Sequence, residues 1–356
     1  MTGDARSPAQ YGSVRPRVAE SLWRRLTALF RTRGALGLGP VTAPVSFFVP
    51  LGFLLGPQAL DWLSVDVLAH LDTLVSVGLA VLGVLVGLAF GGVRRASRPL
   101  VFAASTEAGT TLVVVTAAAL FLIWQWDLPL DAPRLTTALM LGICAAVSST
   151  MAEGPTVDET HHVADFDDVA PIVLGALVVA GLREPTVAGM LTLGLATALT
   201  GLAIAMAGWL LFEVAHGAAE RGVFVLGVLV MLGGSAAYLA VSPLLAGLVA
   251  GVFWVVAPGQ ADTMIKADLR KVQHPLVLLL LLTAGASLRL TPLAVYLLAP
   301  FLVFRLAGKM AGGWLAVRVV GGLSREALGP SLVWPGVVGI AFALNFIQVA
   351  PPVRTD

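Results

Sequence analysis

The amino-acid sequence predicts an all-α protein that crosses a membrane ten or eleven times. Only 12% of its 356 residues are charged and 58% are hydrophobic, with a mean hydropathy of +0.91. A water-soluble domain has roughly twice that share of charged residues. The apolar runs are the second observation, because many have the roughly 17–25 residues that a helix needs to span a bilayer. Little sequence is left between these runs for a domain outside the membrane.

Eleven apolar segments follow one another along the chain. They are predicted at 41–57, 69–93, 99–125, 135–152, 164–182, 186–214, 222–240, 242–257, 274–288, 292–317 and, interrupted by proline, 330–350. Several are short or contain Gly and Pro, which a membrane tolerates only where the freed backbone groups face protein or water. The chain therefore divides into an Arg-rich tail at 1–40, a transmembrane domain at 41–350 and a short tail at 351–356.

The positive charges between the segments predict the orientation. If the Arg-rich tail is cytoplasmic and every segment crosses, the basic connections also fall inside, as the positive-inside rule expects. These connections are "RRASR" (94–98), "IKADLRK" (265–271) and "VRVVGGLSR" (317–325). The connections at 58–68 and 126–133 have no Lys or Arg and fall outside. We expect a multi-pass protein of the bacterial inner membrane type, with a cytoplasmic N-terminus and Asp356 on the opposite side.

Few ionisable residues lie inside the apolar segments. They are Glu107, Asp167, Asp168, Arg305 and Lys309. Such a side chain costs about 2.5–3.5 kcal/mol at the centre of a spanning helix, so it is normally paired or faces water. Lys309 lies too deep in its segment to reach an interface easily, and an acidic partner is therefore expected.

The pair Asp167 and Asp168 has two interpretations. Adjacent helical residues point about 100° apart, so one carboxylate could meet Lys309 while the other faces a water-filled cavity. A carboxylate in such a cavity can hold either a proton or a cation. The alternative is that both residues only begin a helix, where the macrodipole favours negative charge.

Six short motifs resemble the cation:proton antiporter superfamily, in particular Kef-like members and bacterial sodium/proton antiporters. The resemblance covers residues 40–350 approximately and rests on the shared order and spacing of the motifs. They are "GFLLGPQAL" (52–60), "AAVSSTMA" (145–152), "DDVAPIVLGAL" (167–177), "SPLLAGLVAGV" (242–252), "HPLVLLLLLTAGASL" (274–288) and "RLAGKMAGG" (305–313).

The resemblance implies a fold of inverted repeats with two discontinuous helices that cross. It implies a core bundle at 99–182 and 292–350 and a dimerisation bundle at 41–93 and 222–288. By the same resemblance, the protein is expected to be a homodimer. The crossing helices would be 135–152, broken near Ser148, Ser149 and Thr150, and 330–349, broken near Pro335 and Gly336. Unwound carbonyls and half-helix ends at such a crossing coordinate ions.

By the same resemblance, Asp168 would bind the ion and the proton, and Asp167 would pair with Lys309. From its own surroundings of Ser and Thr residues, Glu107 either lines the ion path or is a buried acid with its hydrogen bonds satisfied. The residues at the two breaks would also line the path. Arg305 lies four residues before Lys309 on the same face, where it would compete for the acidic partner or reach a polar cavity. The short polar connector before Asp167 predicts that the Asp pair lies nearer the cytoplasmic interface than the midplane.

The predicted function is therefore the exchange of a monovalent cation, Na⁺ or K⁺, for protons. Two alternatives remain open: a non-transporting homologue with a scaffold or regulatory role, favoured because the chain ends before the family's last core helix, and a passive cation channel. The sequence contains no His/Cys cluster, nucleotide-binding Gly-rich loop or Ser/His/Asp arrangement, so an enzyme is not expected. The expected partners are protons, the cation, membrane lipid and a second copy of the chain, with no cofactor, no other metal and, at a net charge of +1, no nucleic acid.

Overall fold

The predicted apolar segments form helices in the computed structural model of the chain. The structure describes residues 42–93, 98–128, 130, 133–148, 167–258, 261–320 and 336–349. The Arg-rich tail, the C-terminal tail, the connector before Asp167, and the predicted break residues Ser149, Thr150 and Pro335 lie outside these ranges. Within them are eleven helices and no strand.

Every one of these helices overlaps a predicted segment. They are α1 (Thr42–Leu55), α2 (Val65–Val93), α3 (Arg98–Gln125), α4 (Arg134–Ala146), α5 (Val169–Arg183), α6 (Val187–Val214), α7 (Ala218–Leu239), α8 (Pro243–Val256), α9 (Ala261–Ala286), α10 (Pro292–Val320) and α11 (Val337–Val349). Five of them, α2, α3, α6, α7 and α10, are long and apolar enough to cross a membrane unaided. The other six have shorter apolar stretches of 10–17 residues, so eleven full crossings do not follow from helix length.

Helix α9 begins much earlier than predicted. The basic stretch 265–271 was expected to be a loop, but it belongs to the first half of α9. Ile265 and Leu269 are buried at 1% and 0% exposure. Because residues four apart share one face of a helix, this apolar pair packs onto the core and continues the helix through the polar sequence.

The helices pack in two groups. In the first, α2 lies against α7, α8 and α9, and α9 also packs on α1. In the second, α3 lies against α10 and α4, while α5 and α11 pack on α4. Helix α6 contacts α5, α7 and α8. That these groups act as dimerisation and core bundles stays a prediction.

Helices α2 and α8 approach each other closely through four glycines. A Cβ atom on Gly83 would lie 2.9 Å from the backbone nitrogen of Leu248, and one on Gly247 would lie 3.0 Å from that of Val84. Gly87 and Gly251 face each other in the same way, since a Cβ on either would be within 3.0 Å of the other's Cα. Small residues at a regular spacing of four allow this backbone contact, which is the usual means of helix association in lipid.

Candidate functional site

Helix α4 ends inside the protein, where it meets the start of α11. After Ala146 the chain is extended at Val147 (φ −68°, ψ 138°). Gly336 precedes α11, and a Cβ on this glycine would lie 2.9 Å from the carbonyl oxygen of Ser148. The two predicted breaks near Ser148 and Gly336 are therefore neighbours in space. The last carbonyls of α4 have no partner within the helix, as at any helix C-terminus.

Two positively charged side chains of α10 lie at that C-terminus. Arg305 donates from Nε to the Ala145 carbonyl at 3.3 Å and from a terminal nitrogen to the Val147 carbonyl at 2.9 Å. Lys309 donates to the carbonyl between them, that of Ala146. Positive groups at a helix C-terminus are stabilised by its partial negative charge, so α10 caps the broken end of α4.

Lys309 contacts two carboxylates from different helices. Its Nζ atom lies 3.1 Å and 3.2 Å from the two carboxylate oxygens of Glu107, and 3.6 Å from Oδ2 of Asp167. The hydroxyl of Ser148 lies between them, donating to Asp167 and accepting from Lys309. The expected contact between Asp167 and Lys309 is present, and Glu107 is a second, nearer partner that the sequence reasoning placed only along the ion path.

Glu107 is brought to Lys309 by close packing of α3 on α10. A Cβ on Gly312 would lie 3.1 Å from the Cα of Glu107, and a Cβ on Gly308 would lie 3.1 Å from that of Thr111. The Thr111 hydroxyl donates to the Glu107 carboxylate at 3.3 Å and also to its backbone carbonyl at 3.0 Å. The sequence contained a signal for this contact, because a single acidic residue within an apolar segment needs a partner.

Asp168 occupies the N-cap position of α5. Its backbone carbonyl accepts from Ile172 at 3.0 Å, but its carboxylate makes no capping hydrogen bond to the first turn. The side chain is 7% exposed and thus buried beside Asp167, which is 1% exposed. Asp168 thus stands at the start of a helix without a capping hydrogen bond from its side chain, and both interpretations of the Asp pair stay predictions.

Asp167 lies inside the helix bundle. It reaches Lys309, which stands near the middle of the 29-residue helix α10. Helix α5 has only 15 residues and begins beside the end of α4, where Ser148 donates to Asp167. The position of the Asp pair relative to the cytoplasmic interface stays a prediction.

The charged residues around Lys309 and the oxygen atoms beside them form the candidate ion site. Carboxylates, a hydroxyl and helix-end carbonyls converge here, which are the groups that bind alkali cations in broken-helix transporters. An apolar cavity of about 350 Å³ lies elsewhere, between α3, α4 and α10, with lining residues such as Leu122, Leu141 and Phe301. Its lining contains no charged residue, so it offers a cation no counter-charge.

Comparison with known proteins identifies the fold. The sequence matches no family model and no curated protein. Among solved structures, the chain is similar to the sodium proton antiporter MjNhaP1 from Methanocaldococcus jannaschii at pH 8, with a TM-score of 0.61 and 14% sequence identity. The match covers 92% of this chain and 88% of that chain. At this identity the likeness shows a shared fold, so the protein is an all-α multi-pass membrane protein with the antiporter-type architecture predicted from the sequence.

Proposed function

We propose that this protein is a secondary active transporter that exchanges a monovalent cation, Na⁺ or K⁺, for protons. The observation that carries the proposal is the buried cluster of Glu107, Asp167, Asp168, Arg305 and Lys309 at the junction of α4 and α11. Buried charges inside a membrane are costly, and they are found mainly where ions or protons pass. The structural neighbour, a sodium proton antiporter, agrees with this chemistry.

Three of the charged residues have distinct roles in the proposed exchange. Asp168 binds the cation or the proton in turn, because its carboxylate is buried and is not used as a helix cap. Asp167 is held by Lys309 and Ser148 and supports the site electrostatically. Arg305 keeps the end of α4 in place through the Ala145 and Val147 carbonyls.

The experiment that tests the proposal is antiport in proteoliposomes. Addition of Na⁺ or K⁺ should collapse an imposed proton gradient in liposomes that contain the protein. Asp168→Asn should abolish this response, because the amide keeps the size and polarity of the side chain but neither exchanges a proton nor neutralises a cation. An unchanged elution profile in size-exclusion chromatography would show that the variant is folded.

Other outcomes favour other functions. Cation flux without opposing proton movement would indicate a passive channel, and no response from folded wild-type protein would indicate the scaffold or regulatory role. Full activity of Asp168→Asn would remove Asp168 from the site and make Glu107 the next candidate. Comparing Na⁺ with K⁺ in the same liposomes assigns the cation, which depends on the geometry and hydration of the site.

We also propose that the protein works as a homodimer in the cell membrane with its N-terminus in the cytoplasm. The dimer and its bundle, 41–93 and 222–288, come from the family resemblance, and the orientation comes from the basic connections. Cysteine labelling at Ala5 and Thr355 tests the orientation. Labelling from opposite sides supports an odd number of crossings, and labelling from one side contradicts it.

A further inference from the structure

The apolar cavity between α3, α4 and α10 lies where α3 ends and where α4 and α10 begin. Its volume is about 350 Å³, and Leu128 and Leu130 of the connection between α3 and α4 complete its lining. Thr137 is the one polar residue in the described lining, and its hydroxyl donates to the Pro133 carbonyl at 3.3 Å. An apolar cavity of about 150 Å³ already stays dry and takes up apolar molecules. This larger cavity is therefore suited to an apolar ligand.

The cavity opens at the surface of the helix bundle. Leu298 of α10 lines it and is 56% exposed. Helix α10 is the least buried of the five described helices that are long and apolar enough to span a membrane. In a multi-pass membrane protein, the exposed apolar face of a spanning helix lies against the hydrocarbon of the bilayer. Lipid acyl chains are therefore the apolar molecules that surround the opening.

An exposed tryptophan and an ion pair stand at the same end of these helices. Trp124 is 71% exposed in the last turn of α3, and exposed Trp side chains collect at the level of the lipid headgroups. Arg134 at the start of α4 forms an ion pair with Asp127. Leu128, which lines the cavity, directly follows Asp127. Thr137, which also lines it, lies three residues after Arg134 on the same helix face.

The charges of this ion pair match those of a zwitterionic headgroup. The Arg134 guanidinium can donate two hydrogen bonds to a phosphate group, and the Asp127 carboxylate can accept from an ammonium group. The two side chains are 47% and 83% exposed, and an exposed ion pair holds its partners only weakly. A headgroup with both a phosphate and an ammonium can therefore bind to both residues.

We propose that this cavity binds an acyl chain of a zwitterionic phospholipid of the phosphatidylethanolamine type, whose phosphate lies on Arg134 and whose ammonium lies on Asp127. The inference does not depend on the proposed antiport, because no charged residue lines the cavity. The same three helices provide Glu107, Lys309 and the end of α4 at the ion cluster. A bound chain should therefore stabilise the packing that forms the cluster.

Photochemical crosslinking of the full chain in vesicles tests the inference. The vesicles contain phosphatidylethanolamine and phosphatidylglycerol, with a small share of a phosphatidylethanolamine that has a diazirine at the end of one acyl chain. Mass spectrometry should find the label on Leu122 and Leu141, which line the cavity and are only partly exposed. Additional unlabelled phosphatidylethanolamine should lower this label more than the label on Leu210, which is 58% exposed on α6.

Two neighbouring alanines of α3 provide a matched pair of variants. Ala118 lines the cavity, whereas Ala117 is exposed and does not. Ala118→Phe fills part of the cavity, and excluding about two methylene groups of a ligand weakens its binding roughly tenfold. The label on Leu141 should fall by about that factor in Ala118→Phe and should stay unchanged in Ala117→Phe.

Substitutions of the ion pair test the headgroup contacts at exposed positions, and they decide the question if Ala118→Phe does not fold. Arg134→Gln should lower the label on Leu141 severalfold. Arg289→Gln removes another exposed cation, from the connection before α10, and should leave the label unchanged. In the wild type, unlabelled phosphatidylethanolamine should compete better than phosphatidylglycerol, and Asp127→Asn should remove this preference.

Four results would overturn the inference. They are no label on Leu122 or Leu141 in the folded wild type, equal labels on Leu141 in Ala118→Phe and Ala117→Phe, and equal competition by the two lipids in the wild type. The fourth is a disulfide-linked dimer of Leu298→Cys, because it would show that a second copy of the chain covers the opening.

Discussion

Two of the helix contacts that glycines allow differ in what they enclose. Between α2 and α8, Gly83, Gly87, Gly247 and Gly251 bring backbone against backbone with apolar side chains around them. Between α3 and α10, Gly308 and Gly312 also allow a close backbone approach, though a less tight one, and the contact encloses the Glu107–Lys309 ion pair. Small residues thus allow close approach in either case. Only the second contact places charge where an ion could be exchanged.

The largest expected effect is on the α2–α8 contact. Gly83→Leu should abolish the folded protein, because the side chain would meet the backbone of α8, which cannot turn aside as a flexible side chain can. Fluorescence-detected size-exclusion chromatography measures the loss of the folded peak. Gly227→Leu on α7 is the control, since a Cβ there has nothing within 4 Å. A normal peak for Gly83→Leu would show that the two helices can separate.

The next largest effects concern the ion pairs of the α3–α10 contact. Lys309→Gln leaves the Glu107 and Asp167 carboxylates without their shared ammonium, and breaking a buried pair in this way costs about 3–5 kcal/mol. Asp167→Asn should cost less, because Lys309 keeps Glu107. Thermal stability in detergent measures both. Combining the two substitutions should recover part of the loss, whereas strictly additive losses would show that the residues do not interact.

A smaller effect is expected where α8 begins. The Ser242 hydroxyl accepts from the Leu245 backbone at 3.4 Å and from Asn345 of α11 at 3.1 Å, so Ser242→Ala removes a helix cap and a link between helices. We expect the free energy of unfolding to fall by about 1–2 kcal/mol, measured by thermal melting. Thr186→Ala, which removes only the cap of α6, should cost less. Equal losses would show that Asn345 does not contribute through Ser242.

The smallest expected effect is at Trp254, which joins α8 to α6. Its indole nitrogen donates to the Ala205 carbonyl at 2.9 Å, and the side chain is 1% exposed. Trp254→Phe should lower stability by about 1 kcal/mol, because the carbonyl loses its donor while most apolar contacts remain. Trp209→Phe removes a comparable bond, to Pro258, at an exposed position and should have less effect. If Trp209→Phe lowered the melting temperature more than Trp254→Phe does, burial would not explain the strength of the Trp254 hydrogen bond.

The positions of the helices could largely be predicted from the sequence. The apolar runs, the Ser-Pro start of α8 at Ser242 and Pro243, and the glycines of the "RLAGKMAGG" motif are local signals. The start of α9 was missed because basic residues interrupt the apolar pattern there. Ile265 and Leu269 pack against residues distant in sequence, and this packing outweighs the local polarity.

The candidate site could be predicted in composition but not in arrangement. The five buried charged residues in the described part of the chain were named from their apolar surroundings, and Ser148 and Gly336 from the motifs at the two breaks. The contact of Glu107 with Lys309 was missed. Glu107 and Lys309 are 202 positions apart, and their meeting depends on how α3 and α10 pack.

The sequence by itself determined that the chain lies in a membrane and where most of its helices run, because the partition of a segment between water and lipid depends on its own residues. It also determined which charges are buried, since a charge within such a segment has little water available to it. The tertiary structure decided which charges meet. Two carboxylates from separate helices share Lys309, and two cations cap the end of α4, because those contacts depend on helix packing that brings distant residues within a few ångströms of one another.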